Sequence, residues 1–291
     1  MAVDHSRGNH GRRTFTGWLR LNRVPYMVFD VSPTIGRVFV RLWYQVITPF
    51  DSARAMTFMN YGYADPDGAD RLELDPADEV NRYCIQLYHH LTRAVDIAGR
   101  DVLEVGCGRG GGSDFIARYL KPRSVTGLDL AHKAVSFCTS HYTAPGLNWV
   151  QGDAEALKFP DESFDVVINV ESSHYYRSMA RFLSEVRRVL RPGGHLLLVD
   201  FRSRRDVPRW RAQFDTSGLE VIREETITPN IFRALALDNQ RKLDLIHGHV
   251  PWLFRKVFKE FASTQGTATW ESFRQSHWEY LSFILRKPVS S

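Results

Sequence analysis

The stretch Val102-Leu-Glu-Val-Gly-Cys-Gly-Arg-Gly-Gly-Gly112 places glycines at 106, 108 and 110 between an apolar run and a helical pattern. Glycines there let the main chain come close to a ligand, and the strand-to-helix context gives the turn meaning. The spacing itself is weak, since a pyrophosphate-binding turn prefers G-x-G-x-x-G. Glu104, two residues ahead of Gly106, sharpens the reading. A carboxylate at that place repels a pyrophosphate and attracts a cationic amino group. The chemistry points to S-adenosyl-L-methionine (SAM), which carries an ammonium and a sulfonium, rather than to NAD. Asp129 closes the next apolar run, 23 residues after Gly106, and is followed by Leu130. A carboxylate at about this distance can accept hydrogen bonds from both hydroxyls of a ribose. Gln151-Gly-Asp153-Ala154-Glu155 follows a third run, where a side-chain acceptor and a backbone N–H can read the amino edge of adenine.

Together with Arg191-Pro-Gly-Gly194, these motifs resemble the class I SAM-dependent methyltransferases. The resemblance implies an α/β, doubly wound, Rossmann-like fold with a seven-stranded sheet, and SAM as cofactor. It implies cofactor contacts from Tyr63, Glu104, Gly106, Gly108, Asp129, Leu130, Asp153, Ala154 and Asn169. Tyr63 enters because related small-molecule enzymes carry a Gly-Tyr in an N-terminal lid, here Asn60-Tyr-Gly-Tyr63. An aromatic face near a sulfonium favours the cation. Asp78-Glu-Val-Asn-Arg82, Leu87-Tyr-His89, Asn169-Val-Glu-Ser-Ser-His174 and Thr264-Gln-Gly-Thr267 are similar to the mycobacterial phthiotriol/phenolphthiotriol dimycocerosate methyltransferases, which O-methylate a lipid hydroxyl. That similarity covers roughly residues 40–287.

The acceptor chemistry is expected beyond the carboxyl ends of the strands, where this fold binds ligands. His174 follows the fourth apolar run and Asp200 ends the fifth, in Leu198-Val-Asp-Phe201. A hydroxyl is a poor nucleophile until it loses its proton, and histidine is the usual base near neutral pH. Asp200 is placed to orient and support it. The E-S-x-H and D-F pair also resembles sugar O-methyltransferases of indolocarbazole pathways, in which such a His and Asp form the catalytic dyad. Metal-dependent catechol-type methylation favours a carboxylate where this chain has Asn169, and no H-x-x-x-H or H-E-x-x-H pattern occurs, so no metal is expected. His247-x-His249 sits in a helical pattern and reads as lid surface. Cys107 reads as a small turn residue rather than a nucleophile.

The elements that must carry these residues alternate along the chain. Strands are predicted at 101–105, 124–128, 147–151, 164–170, 195–199 and 278–286, and helices at 79–95, 113–120, 133–141 and 179–190. Continuous apolar strands alternating with helices mean a parallel sheet covered on both faces. The expected organisation is a disordered basic tail over 1–17, a helical extension and lid over 18–98, and the SAM-binding core over 99–228. A helical lid insert over 229–265 and a final core strand within 266–291 complete it. The insert's Ile231, Phe232, Leu235, Trp252 and Phe254 suit an apolar acceptor chamber, which excludes water from the transfer.

Composition narrows the function class. Residues 1–50 hold seven arginines and two aspartates, the whole net charge of +5, and the other 241 residues carry 31 basic and 31 acidic groups. A nucleic-acid binder would stripe its charge over the body. An Asn/Asp-Pro-Pro-Tyr/Phe loop and a Pro-Cys nucleophile are both missing, so no nucleic-acid partner is expected. The basic arm, with its short amphipathic stretch Arg37–Ile47, leaves peripheral membrane contact open. Three cysteines without paired spacing and a polar N-terminus fit a reducing, cytoplasmic setting. The expected partner is a small-molecule or lipid-like acceptor. Oligomeric state is not legible, and carbon or nitrogen remains open as the methylated atom.

Overall fold

The computed structural model describes residues 56–66, 68 and 71–289. The basic tail, the stretch Arg37–Ile47 and the first part of the expected lid lie outside the described residues.

Seven strands form one sheet in the order β3-β2-β1-β4-β5-β7-β6. These are β1 (Asp101–Val105), β2 (Ser124–Asp129), β3 (Leu147–Gln151), β4 (Phe164–Val170), β5 (Leu190–Ser203), β6 (Glu220–Thr226) and β7 (Trp278–Arg286). The first five run parallel, and β7 lies antiparallel between β5 and β6. Helices α1 (Arg82–Thr92), α2 (Gly111–Tyr119), α3 (His132–His141), α4 (Met179–Val189) and α5 (Val207–Asp215) flank it. Alternate residues of β1 serve opposite faces: Val102 packs with Phe115 and Ile116, while Leu103 and Val105 pack with Phe182 and Val186. In α4 the buried Met179, Phe182, Leu183, Val186 and Val189 repeat at helical spacing, and the Ser178 hydroxyl caps the Arg181 N–H.

The differences from the expected elements have local causes. The helix expected over 79–95 begins as a 3-10 turn, Glu79–Asn81, before α1. The fifth strand, expected over 195–199, runs from Leu190, which pairs with Phe164 of β4, to Ser203, which pairs with Trp278 of β7, so Asp200 lies inside it. Strand β6 escaped prediction because it is an edge strand, exposed along nearly its whole length and carrying Glu220, Arg223, Glu224 and Glu225. Charges along an edge discourage pairing with another chain, and they remove the apolar signal.

After β6 come α6 (Thr228–Leu237), α7 (Asn239–His249), α8 (Arg255–Phe261) and α9 (Ala268–Arg274). Helix α6 is part of the main core, since Ile231 and Leu235 are fully buried against Trp270 and Tyr280. Helices α7 and α8 form a separate small cluster, Ile246, Val250 and Phe258 with Met56, Met59 and Phe261. The three cysteines are buried free thiols. Among the described residues no helix is long and apolar enough to cross a membrane.

Candidate active site

A cleft opens over the carboxyl ends of β1, β2 and β4. It is lined by Gly106, Cys107, Gly108 and Arg109 from the first turn, by Asp129, and by Glu171, Ser172, His174 and Tyr175 after β4. Residues 57–61 and Phe261 close it from above.

The glycine turn is tight by construction. Gly106 has φ +78, and a Cβ there would lie 2.3 Å from the Ser172 hydroxyl. Gly110 caps α2 at φ 80. A Cβ on Gly112 would lie 2.1 Å from the Tyr88 ring. That ring matters because the Tyr88 hydroxyl donates to Glu104 at 2.6 Å, and the Ser113 hydroxyl donates to the other Glu104 oxygen. Glu104 itself is wholly buried under the turn. Burial pushes its carboxyl up to about 7, outweighing the two hydroxyl donors that favour the anion. Asp129 accepts from the Gly108 N–H at 2.9 Å and the Ala131 N–H at 2.8 Å. Burial raises it to about 6 against those donors.

The second constellation follows β4. His174 Nδ1 lies 2.7 Å from Asp200 Oδ1. The other Asp200 oxygen accepts from the Ser173 hydroxyl at 2.6 Å and the His174 N–H at 3.0 Å, with an Arg202 nitrogen at 3.2 Å. Burial opposes ionisation of Asp200, but His174, Arg202 and Ser173 outweigh it and hold the carboxyl well below its usual range. Arg202 in turn lies over the Trp210 ring.

The structure thus gathers Gly106, Gly108, Asp129 and His174 at one cleft, with Glu104 beneath and Asp200 behind the imidazole. Asn169 is wholly buried below, its amide nitrogen donating to the Val105 carbonyl at 2.9 Å and reaching the Ser172 and Tyr176 hydroxyls at 2.8 Å each. It braces the turn rather than lining the cleft. Asp153 and Ala154 sit in the turn after β3, where Asp153 accepts the Glu155 N–H at 3.0 Å and Ala154 packs into the core. Leu130 is half-buried after β2 and, like these two, does not line the cleft. Tyr63 is not brought to the cleft: its ring stacks on His90 at 4.2 Å, while Tyr61 lines the cleft instead. The main-chain bond from the Tyr63 N–H to the Tyr83 carbonyl fixes that orientation.

Two groups escaped the sequence reading. Glu171, between Asn169 and His174, has φ 47 and accepts from the Tyr61 N–H at 2.7 Å and from the Tyr280 hydroxyl. Burial pushes its carboxyl up to about 8. Its signal was a carboxylate directly after an apolar strand. Lys242 is buried in α7, its ammonium 3.4 Å from the Tyr61 carbonyl. It shares a helix face with Ile246, four residues on, which is an unusual place for a lysine.

A second cavity adjoins the first across Thr57–Tyr61, Arg109 and Phe261, and is lined by Met56, Leu245, Ile246, Phe258, Arg241 and Lys242. The aromatic and aliphatic residues expected for an acceptor chamber are placed otherwise. Ile231 and Leu235 belong to the core, Phe232 packs on Trp270, and Trp252 and Phe254 are exposed. Residues 229–237 are needed to cover the sheet, and the second cavity is lined instead by residues of the next two helices. His247 is exposed and His249 half-buried on α7. Among the described residues, no group of three or more His, Cys, Asp or Glu could hold a metal ion.

Residues 103–198 match a family described as a methyltransferase domain. The phthiotriol/phenolphthiotriol dimycocerosates methyltransferase of Mycobacterium leprae is 42% identical over 227 residues, which cover 78% of this chain and 84% of that protein. The chain belongs to this methyltransferase family. Its methyl donor is S-adenosyl-L-methionine. The fatty-acid O-methyltransferase of Mycolicibacterium smegmatis is 39% identical to this methyltransferase, over 80% of its chain and 84% of the relative. Among solved structures, a geranyl diphosphate C-methyltransferase from Streptomyces coelicolor aligns with TM-score 0.61 at 15% identity, covering 86% of the methyltransferase and 97% of that chain. The cyclase SpnF aligns with TM-score 0.66 at 19% identity, covering 86% and 96%. These likenesses concern the fold, which the cyclase shares while being named for a different reaction.

The residues present fit the donor. The turn is one that a Cβ at Gly106 would fill, and Glu104 is a buried carboxylate whose ionisation a ligand cation would favour.

Proposed function

We propose that this methyltransferase O-methylates a hydroxyl of an apolar, lipid-like natural product, with His174 as general base and Asp200 orienting it. The observation that carries the reading is the 2.7 Å contact between His174 Nδ1 and Asp200, beside a cleft that His174 lines. When bound, SAM supplies a methyl group activated by a sulfonium. Glu104 would hold its amino group, Asp129 its ribose, and the Gly106–Gly108 turn would let the main chain approach. Asp153 and Ala154 would serve the adenine side.

Asp200 favours the imidazole tautomer with the proton on Nδ1, leaving the Nε2 lone pair to take the hydroxyl proton as the C–O bond forms. It also stabilises the imidazolium that results. The apolar cavity beside the cleft would take the acceptor's hydrocarbon portion, in keeping with relatives named for lipid substrates.

General-base help is typically worth about 10²–10⁴-fold. His174→Ala should therefore lower single-turnover methyl transfer by about a hundredfold or more at unchanged SAM affinity, and Asp200→Asn by less. Near-normal transfer to a hydroxyl acceptor by His174→Ala would remove the base role.

A second reading keeps oxygen as the nucleophile but makes it a carboxylate. The buried Lys242 ammonium in the adjoining cavity and the fatty-acid relative favour it. A carboxylate is already ionised at neutral pH and needs no base. The same variant decides between the two, because loss of His174 would leave transfer to a carboxylic acid nearly intact.

A further inference from the structure

The connection between α7 and α8, with the first turn of α8, presents apolar side chains to solvent. Trp252 is 77% exposed, Leu253 65%, Val257 48% and Phe254 39%. Four large apolar residues within six positions form a patch of the kind that marks an interaction site. The connection is built, not loose. The Arg255 guanidinium turns back onto the Val250 and His247 carbonyls, both at 2.9 Å, and the Phe254 N–H bonds the Pro251 carbonyl at 2.9 Å. The charge beside it is mainly basic. From Asp244 to Glu260 the chain carries Arg255, Lys256 and Lys259 with two histidines, against the two acidic residues at its ends.

We propose that this tip inserts into the surface of an anionic lipid bilayer. Tryptophan suits the interface between headgroups and acyl chains, and neighbouring cations are drawn to anionic headgroups. A second copy of the chain with the same basic tip would meet like charge, which makes the bilayer the better-matched occupant. The inward faces of the same two helices, through Ile246 and Phe258, line the apolar cavity beside the cleft. A seated tip sets that cavity against the bilayer, where a molecule with a hydrocarbon tail is dissolved. The inference goes beyond the acceptor reading, because surface binding is measured without acceptor or methyl donor.

The test is co-sedimentation of the full chain with sucrose-loaded vesicles of phosphatidylcholine, with or without phosphatidylglycerol. The wild type should bind the phosphatidylglycerol vesicles more tightly. The double variant W252S/L253S should lose at least tenfold in vesicle affinity, with melting temperature and SAM affinity unchanged. Brominated acyl chains should quench more tryptophan fluorescence in the wild type than in Trp252→Phe, which keeps the apolar bulk. Three results would overturn the proposal. One is equal binding of W252S/L253S and wild type. Another is binding abolished by R12Q/R13Q/R20Q but kept by W252S/L253S, which would give the membrane to the N-terminal arm. The last is a wild-type dimer that W252S/L253S dissociates without any effect of vesicles, which would make the tip a protein interface.

Discussion

Burial holds the Glu104 carboxyl at about 7, so below neutrality the ligand-free protein keeps it mostly protonated. A cationic amino group beside it favours the anion, so SAM binding should release a proton and weaken as pH falls. Linkage makes the affinity at pH 6 about tenfold poorer than its plateau above pH 8, and Asp129, raised to about 6, adds to the loss further down. Calorimetric titration in buffers of different ionisation enthalpy checks both the slope and the released proton; an affinity flat from pH 6 to 8 would remove Glu104 from the amino site. Asp129→Ala removes a charged acceptor worth about 1.5–3 kcal/mol. Its SAM affinity should fall about tenfold or more, measured at pH 8 where both carboxyls are ionised. It also frees the Gly108 N–H, so part of the loss would come from a looser turn.

At the scale of elements, the first turn and the helix behind it act as one piece. Gly112→Ala would drive a methyl into the Tyr88 ring, and Tyr88 anchors Glu104. Overpacking of this kind costs about 1–3 kcal/mol. We expect a lower melting temperature together with lost SAM binding, whereas Gly248→Ala, at an exposed helical glycine with nothing near its Cβ position, should leave SAM affinity unchanged. Thermal melts with and without SAM separate the two. Much of this piece was legible, because Glu104, Gly106 and Asp129 announce themselves by type and spacing at the ends of apolar runs. The contact between His174 and Asp200 was legible too, since one follows the fourth apolar run and the other lies near the end of the neighbouring fifth strand. Tyr63 was misplaced because Tyr61 and Tyr63 differ by two residues, and only the main-chain pairing with Tyr83 decides which ring faces the cleft. Lys242 was missed because burial, not spacing, makes it unusual, and Glu171, although it opens the Glu171-Ser-Ser-His174 pattern, was given no role of its own. The edge strand β6 and the core helix α6 were hidden by charge in the first and by the insert-like break in rhythm in the second.

For the whole molecule, the cleft is bounded by both halves of the described chain, residues 57–61 and 106–109 on one side and 170–172, 174–175, Phe201 and Phe261 on the other. A ligand there binds the folded state only. At a concentration of about a hundred times Kd it should stabilise the fold by roughly 2.7 kcal/mol. For a chain near this size each kcal/mol moves the midpoint by about 2–4 °C. SAM should therefore raise Tm by about 5–10 °C at pH 8, and less at pH 6 for the reason given by Glu104. Differential scanning calorimetry at the two pH values checks the pair of numbers together.

Three thiols are locked inside this fold, and that makes them clocks. Burial pushes the Cys84 thiol up to about 11, and the neighbouring Cys138 together with burial raises Cys107 well above its ordinary value. Only a thiolate attacks an alkylating reagent. In the native state the Cys84 and Cys107 sulfurs are therefore silent until a fluctuation exposes them, and the rate at which each is labelled counts those fluctuations. Cys107 sits within the glycine turn, whereas Cys84 lies in α1, whose Asn60 and Arg241 neighbours belong to the cover. Reagent uptake at Cys107 should slow when the methyl donor is bound, and uptake at Cys84 should follow opening of the cavity beside the cleft, which Cys84 lines. Peptide mapping after pulsed alkylation would thus time the two halves of the site independently, in the unmodified chain and without a reporter group.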